Sequence, residues 1–206
     1  MNYLVSNLLD KACVTHGFGF KGYSISSHKH FATNQLHSDN IIILKSSENY
    51  SFPLEADAFI TNERNIACYV RTADCVPILM YDPVKKVIGA IHSGWRGTLL
   101  QLATKAVAKF EADFGSRREN IIAAIGPAVG GDCYEVGDEV IWKFREAGFA
   151  VANRHLDLKE INRSILQNAG IKNIGLIPIC NHCDTRFASY RRDKSEKGRQ
   201  ISFIVM

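Results

Sequence analysis

Three short stretches carry the residue types that could do chemistry: Gln35-Leu36-His37, Thr72-Ala73-Asp74-Cys75 and His92-Ser93-Gly94-Trp95-Arg96-Gly97. Two imidazoles and a thiol are the nitrogen and sulfur donors that suit a borderline-soft ion such as zinc. Three protein ligands leave a fourth position for water or substrate. Taken singly, each has a plainer reading. Cys75 alone reads as a buried thiol, His92 as a histidine at a sheet end, and His37 as surface. No tight spacing binds the three together, so the elements that carry them must supply the argument.

Cys75 to Tyr81 is an apolar run, Asp82-Pro83-Val84-Lys85 has turn chemistry, and Val87 to His92 is apolar again, which reads as a hairpin. With Pro83 at the first central position, Asp82 pairs with Lys85. That register places Cys75 directly opposite His92, on one face and within about 4.5–5.5 Å at Cβ. Pro77 fits the strand only at an edge.

The remaining elements follow from periodicity. Asp57–Thr61, Ile66–Val70, Ile121–Ile125, Ile174–Ile179 and Gln200–Val205 read as strands, with a short one at Ile41–Leu44. Leu99, Leu102, Ala103, Ala106, Val107 and Phe110 recur at helical steps up to Gly115, so His92 sits where a strand hands over to a helix. Val136–Glu146 and Asp157–Asn168 read as further helices, stopped by Gly148 and Gly170. The polar segment from Phe18 to Asn40 reads as irregular. Strands and helices mingle without strict alternation, which points to an α+β fold with mixed sheets.

With 206 residues, 46% hydrophobic and 22% charged, the chain suits one domain, residues 1–206. A net charge of +4 from scattered Lys and Arg gives no nucleic-acid footprint. The apolar runs are too short to span a bilayer, and the opening Met1-Asn2-Tyr3-Leu4-Val5 lacks the pattern of an export signal. Six cysteines without a regular framework fit reduced thiols, and the expectation is a cytoplasmic protein. Cys180 and Cys183, with His182 between them, look like a metal knuckle. They lack a second pair at a suitable distance, which favours a packing role over a closed zinc site.

Two further stretches are candidates for anion binding. The loop Gly126-Pro127-Ala128-Val129-Gly130-Gly131 could present backbone amides or simply form a tight wall. Ser189-Tyr190-Arg191-Arg192-Asp193 is read as extended, so adjacent arginines point to opposite faces and only one of Arg191 and Arg192 reaches a given ligand. The other pairs with a carboxylate. Arg96 is either a ligand-binding or a surface arginine.

These motifs, in this order, resemble the YfiH family, also labelled laccase-domain or multicopper polyphenol oxidase proteins. The family pattern runs Gln-Val-His, Thr-Ala-Asp-Cys, His-Ala-Gly-Trp-Arg-Gly, Gly-Pro-x-Ile-x-x-x-x-Tyr-Glu-Val-Gly and Ser-x-Arg-Arg-Asp with a later Gly-Arg. The corresponding stretches here are Gln35–His37, Thr72–Cys75, His92–Gly97, Gly126–Gly137 and Ser189–Asp193 with Gly198-Arg199. The first fifty residues diverge, and Ser38, Ser93 and Val129 replace a glycine, an alanine and an isoleucine. These departures bear on pocket shape more than on ligands.

The resemblance implies mixed sheets layered with helices, similar to the catalytic domain of cytotoxic necrotizing factor toxins. It implies zinc, or alternatively copper, held by His37, Cys75 and His92. It also implies phosphorolysis of adenosine, inosine and methylthioadenosine with adenosine deaminase activity, the small-molecule partners being a purine nucleoside and phosphate. In that reading Asp74 carries a proton beside Cys75 in the catalytic group, and Arg96, Gly126 and Arg191 or Arg192 hold phosphate. Competing family labels are a copper-dependent phenol oxidase and an editor of peptidoglycan precursors. Of seven histidines only His37 and His92 have motif support, which counts against a multicopper relay. A thiol hydrolase using Cys75 and His92, or a non-catalytic adaptor, are the other classes.

Overall fold

The computed structural model describes residues 2–31, 33–45, 48, 50–151, 153–194 and 198–206. Met1 of the opening pentapeptide and Ala32 of the polar segment therefore lie outside the described residues. The strands, in chain order, are β1 (Tyr3–Leu4), β2 (Thr15–Gly19), β3 (Thr33–Asn34), β4 (Ile41–Ile43), β5 (Leu54–Glu55), β6 (Ala58–Thr61), β7 (Cys68–Thr72), β8 (Val76–Asp82), β9 (Val87–Ser93), β10 (Ile122–Ile125), β11 (Asn173–Leu176) and β12 (Gln200–Val205). The helices are α1 (Asn7–Lys11), α2 (Trp95–Leu99), α3 (Leu102–Phe114), α4 (Asp138–Glu146), α5 (Leu158–Asn168) and α6 (Tyr190–Asp193).

A six-stranded sheet in the order β11-β10-β8-β9-β6-β4 mixes parallel and antiparallel pairs, and a four-stranded sheet runs β1-β2-β12-β7. This is the α+β arrangement expected. Period-two alternation explains the uninterrupted apolar runs of β8 and β9, because both faces of the larger sheet are covered. Ile78, Met80 and Ile91 turn toward Phe110 of α3, Phe144 of α4 and Leu166 of α5. Leu79, Tyr81, Ile88 and Ala90 turn toward Val70, Ile204 and Phe18 of the smaller sheet. Outside that sheet a third cluster gathers Ile25, Tyr69 and Phe203. The layers are thus helices, six strands and four strands.

Four expectations need correction. The β8–β9 hairpin pairs Asp82 with Val87, not Lys85. The Asp82 carboxylate accepts from the N–H groups of Val84 and Lys85, and Lys86 takes a left-handed φ of 55°, so the loop is two residues longer. A slip of two preserves the face of every side chain. Pro77, not Cys75, is therefore opposite His92.

Pro77 also lies in a central strand rather than at an edge. Its carbonyl accepts from Gly126 N–H just beyond the end of β10, so the missing donor falls where that ladder runs out. The expected helix from Leu99 to Phe110 is broken at Gln101, which has a φ of 57°. Ahead of the break, α2 is pinned separately by a buried network in which Ser93 and Thr98 meet Asn162 of α5. The Phe18–Asn40 segment is largely irregular, but Phe18 and Gly19 belong to β2, an interior strand of the smaller sheet, and Thr33–Asn34 pairs with β5 as β3. Its Thr-His-Gly-Phe-Gly sequence carries too little apolar alternation to announce a strand.

Phe110 is fully buried and its ring packs on the sheet where Gly89 leaves room, a Cβ there lying 3.1 Å from the ring. Phe110→Ala is expected to cost about 3–5 kcal/mol, read as a fall in the urea midpoint with the slope unchanged.

Candidate active site

The turn after β7, the end of β9 and the loop before β4 converge at one end of the strands of the larger sheet. There the donor atoms of His37, Cys75 and His92 all lie within 4.8 Å of one another. The slipped register explains how. The ladder ends at Val76 opposite Ser93, and extending it by one residue puts Gly94 opposite Cys75, where a Cβ on Gly94 would come within 2.9 Å of Cys75 Sγ and 3.3 Å of His37 Nδ1. The absence of a side chain at Gly94 is what lets the thiol and both rings share the space. The His37 and His92 rings meet edge to face at 4.8 Å between centroids.

Asp57 organises this cluster, and nothing in the sequence marks it beyond its place at the start of a strand. It is wholly buried, and Oδ1 accepts from His92 Nδ1 at 2.8 Å and His37 N–H at 3.0 Å. Oδ2 accepts from the N–H groups of Leu36 and Ser38 and from the Ser38 hydroxyl. Burial alone would raise the Asp57 pKa. The bond from His92 and those from Ser38 outweigh it and hold the carboxyl at about 2. With Nδ1 committed to Asp57, His92 presents Nε2 to the cluster.

Gln35 performs a separate task. Its side-chain amide donates to Arg71 O at 2.8 Å and accepts from Arg71 N–H at 2.7 Å, as a neighbouring strand would. The pattern Gln-x-His therefore joins a clamp on β7 to a candidate metal donor, His37, whose φ of 56° turns the chain into the cluster.

Without a metal, burial pushes the Cys75 thiol up, but the charges and hydrogen bonds of His92 and His37 bring it down to about 6. Burial likewise lowers His92, and the Cys75 sulfur and Asp57 raise it to about 9. The pair is a thiolate beside an imidazolium, a proton arrangement that a cation would displace. A mixed nitrogen and sulfur donor set, one buried and one exposed imidazole, and a carboxylate behind the buried one fit a three-ligand metal centre with an open side.

That open side faces a cleft of about 1030 Å³. Asp74, Trp95, Tyr134 and Tyr190 line it together with the basic residues Arg71, Arg191, Lys194 and Arg199. Asp74 has a φ of 82°, and its backbone carbonyl accepts from Val129 N–H. Its Oδ2 accepts from Arg191 N–H at 2.7 Å, while Oδ1 is buried with no partner among the described residues. Tyr134 is pushed up to about 12 by burial and by the nearby Cys75 sulfur.

The anion-binding expectations divide. Tyr190–Asp193 is a helical turn, not an extended segment. Ser189 accepts from Arg192 N–H and Asp74 from Arg191 N–H, so two otherwise orphaned donors are capped. The two arginines still diverge. Arg191 lines the cleft over the Tyr134 ring. Arg192 donates to the carbonyls of Asn181, His182 and Phe187 and pairs with Asp193, which makes it part of the scaffold. Arg96 lies on the ring of the cleft-lining Trp95 at 4.3 Å, exposed, beside the cleft without itself lining it.

Gly126 offers no cradle. Its N–H goes to Pro77, and a Cβ would meet the Phe18 ring at 2.2 Å. The Gly-rich loop is a packed wall. Arg71 and Lys194 in the lining had no distinguishing pattern in the sequence. Tyr134 and Arg199 sit in motif positions, Tyr-Glu-Val-Gly and Gly-Arg, that could have nominated them.

Fold and donor set together define an α+β protein with a His/Cys/His centre at the floor of a basic cleft. The chain belongs to the family described as multi-copper polyphenol oxidoreductase laccase, whose model matches residues 20–206. It is 38% identical over 175 residues to the purine nucleoside phosphorylase YlmD of Bacillus subtilis (strain 168). That match covers 79% of this chain and 63% of the relative, so it spans less than two-thirds of the relative's length. It is 37% identical over 161 residues to adenosine deaminase RL5 from an unknown prokaryotic organism, covering 72% of this chain and 61% of the relative. Among solved structures, the hypothetical protein YfiH of Bacillus licheniformis superposes with a TM-score of 0.87 at 28% identity, over 100% of this chain and 97% of that one. No helix among the described residues is long and apolar enough to cross a membrane.

Asp57→Asn keeps the size but loses the charge and one acceptor, and is expected to weaken zinc binding about 10–100-fold, measured by competition with a chromophoric chelator. Because the Asp57 pKa is depressed to about 2, its ionisation contributes stability that is complete above about pH 4 and lost as pH falls through 2. The metal-free wild type should therefore lose roughly 2 kcal/mol more than Asp57→Asn between pH 5 and 2, read from urea unfolding at each pH.

Proposed function

We propose that the chain is a zinc-dependent purine nucleoside enzyme: a phosphorylase that yields free base and ribose 1-phosphate, with adenosine deaminase activity. One observation carries the reading. The His37, Cys75 and His92 donors open onto the same cleft as Arg191, Lys194 and Arg199, so a metal centre and an anion site face one substrate volume. The names of the Bacillus and RL5 relatives support the two activities.

In phosphorolysis a phosphate oxygen attacks C1′, the C1′–N9 bond breaks, and its electron pair leaves with the purine. Arg191, whose Nη2 also donates to Glu135 O, is positioned to orient phosphate, with Lys194 and Arg199 supplying further positive charge. Asp74 Oδ1, buried and without a partner among the described residues, would, in the carboxylic-acid form, donate its proton to N7 of the departing base and be left as the carboxylate. Tyr190, an exposed aromatic side chain in the lining, would offer a ring to the purine. Zinc, when held by His37, Cys75 and His92, would supply a Lewis acid able to activate water near neutral pH for attack at C6 in deamination.

A second reading rests on a different observation: Cys75, His92 and Asp57 form a thiolate, imidazolium and carboxylate series of the kind that cysteine hydrolases use. Metal removal separates the two. Incubation with adenosine and phosphate should give adenine, inosine and ribose 1-phosphate, and Cys75→Ala should abolish both reactions together. Retained phosphorolysis with lost deamination would sink the shared metal centre, and activity that survives chelation but not alkylation would favour the hydrolase. Arg191→Ala should raise the KM for phosphate about tenfold or more while leaving zinc content unchanged.

A further inference from the structure

The cysteine pair Cys180 and Cys183 lacks a sequence-local partner, but the fold supplies one. Cys133 closes a short 3-10 turn, Gly131–Cys133, and its Sγ lies 3.6 Å from Cys183 Sγ. The sulfurs of Cys133, Cys180 and Cys183 all lie within 4.8 Å of one another. Two sulfurs bound tetrahedrally at about 2.3 Å from one ion would be about 3.8 Å apart, close to the spacing found. A disulfide would require about 2.05 Å, and all three thiols are free.

Surrounding groups complete the picture of a ligand set. Cys180 Sγ accepts from Gly130 N–H at 3.1 Å, the kind of backbone donor that supports a thiolate ligand. The turn after Cys180 folds back so that the N–H groups of Cys183 and Asp184 both reach Cys180 O, which brings the second thiol of the Cys-x-x-Cys pair round to face the first. Cys183 is exposed, so the cluster has a side open to an entering ion and to a fourth ligand from solvent.

We propose that Cys133, Cys180 and Cys183 form a second metal site, separate from the His37, Cys75 and His92 centre, that takes a thiophilic d10 ion such as zinc(II) or copper(I). Three soft sulfur donors with no carboxylate or imidazole among them select such ions over magnesium, calcium or manganese. Binding releases the thiol protons to solvent. The site is a clip. It ties the loop that ends at Cys133, one residue before Tyr134, to the segment that leads to Arg191. The protein already fastens these segments through Asn181 N–H to Ala128 O and through Arg192 to the carbonyls of Asn181 and His182. An ion there would hold the two cleft-lining side chains in register.

The test uses the full chain, reduced and stripped of metal, then titrated with zinc(II) and, anaerobically, with copper(I). The wild type should bind two equivalents of zinc, Cys75→Ala one, and the Cys133→Ser/Cys183→Ser double variant one. Cobalt(II) substitution gives an independent reading. The thiolate-to-cobalt band of Cys75→Ala should be roughly three times that of the double variant, because three thiolates replace one. If the double variant does not fold, mass-spectrometric mapping of alkylation on the wild type decides: loading should slow modification of Cys133, Cys180 and Cys183 by about tenfold or more. Uptake of copper(I) but not of zinc by the three thiols identifies the ion and sustains the site. A single equivalent of either ion, lost entirely in Cys75→Ala, or equal alkylation with and without metal, overturns it.

Discussion

A buried carboxylate needs partners, and at Asp57 that requirement shapes the site. Its two oxygens take the imidazole of His92, three consecutive backbone N–H groups and the Ser38 hydroxyl. Satisfying one charge thus does two jobs. It fixes the His92 ring, which arrives from β9, and it folds an otherwise irregular segment so that His37 arrives from the other side. The ladder reinforces this, since the Asp57 carbonyl accepts from His92 N–H at 2.7 Å.

Local strain is concentrated at the same place. His37 and Asp74 are both non-glycine residues in the left-handed region, at a cost of about 1–3 kcal/mol each when nothing offsets it. Each is over-determined by its surroundings. Asp57 and the Gln35 clamp hold the turn at His37, and Val129 N–H and the capped helical turn of Arg191 hold the one at Asp74. Asp74 is therefore tied by backbone and carboxylate to both the Gly-rich wall and the Arg191 segment, which leaves Oδ1 buried and without a hydrogen-bond partner among the described residues.

Much of the architecture was readable as pattern. The apolar runs of β8 and β9, the helical spacing of α3 and the glycine stops of α4 and α5 act over a few residues, where chain geometry and burial speak directly. Boundaries shifted where a side chain intervened: locally, Asp82 lengthened the hairpin loop through Val84 and Lys85, and at long range Asn162 of α5 pinned α2 through Ser93 and Thr98. The ordered motifs likewise identified the family, and with it the three donors. They could not separate the roles of the two arginines, because that depends on which carbonyls of Asn181, His182 and Phe187 lie within reach of Arg192.

The sequence by itself determined the fold class and the family, and nominated His37, Cys75 and His92 as candidate donors through motifs in a fixed order, although no short spacing joins the three. The tertiary structure alone decided the Gly94 clearance opposite Cys75, the part of Asp57, the removal of Gly126 and Arg96 from the cleft lining, and the meeting of Cys133 with Cys180 and Cys183. Most of these rest on contacts between residues about 20 or more positions apart, up to Phe18 against Gly126, or are consequences of register. A pairing across that distance leaves no periodicity in the chain, so only the folded packing can reveal it.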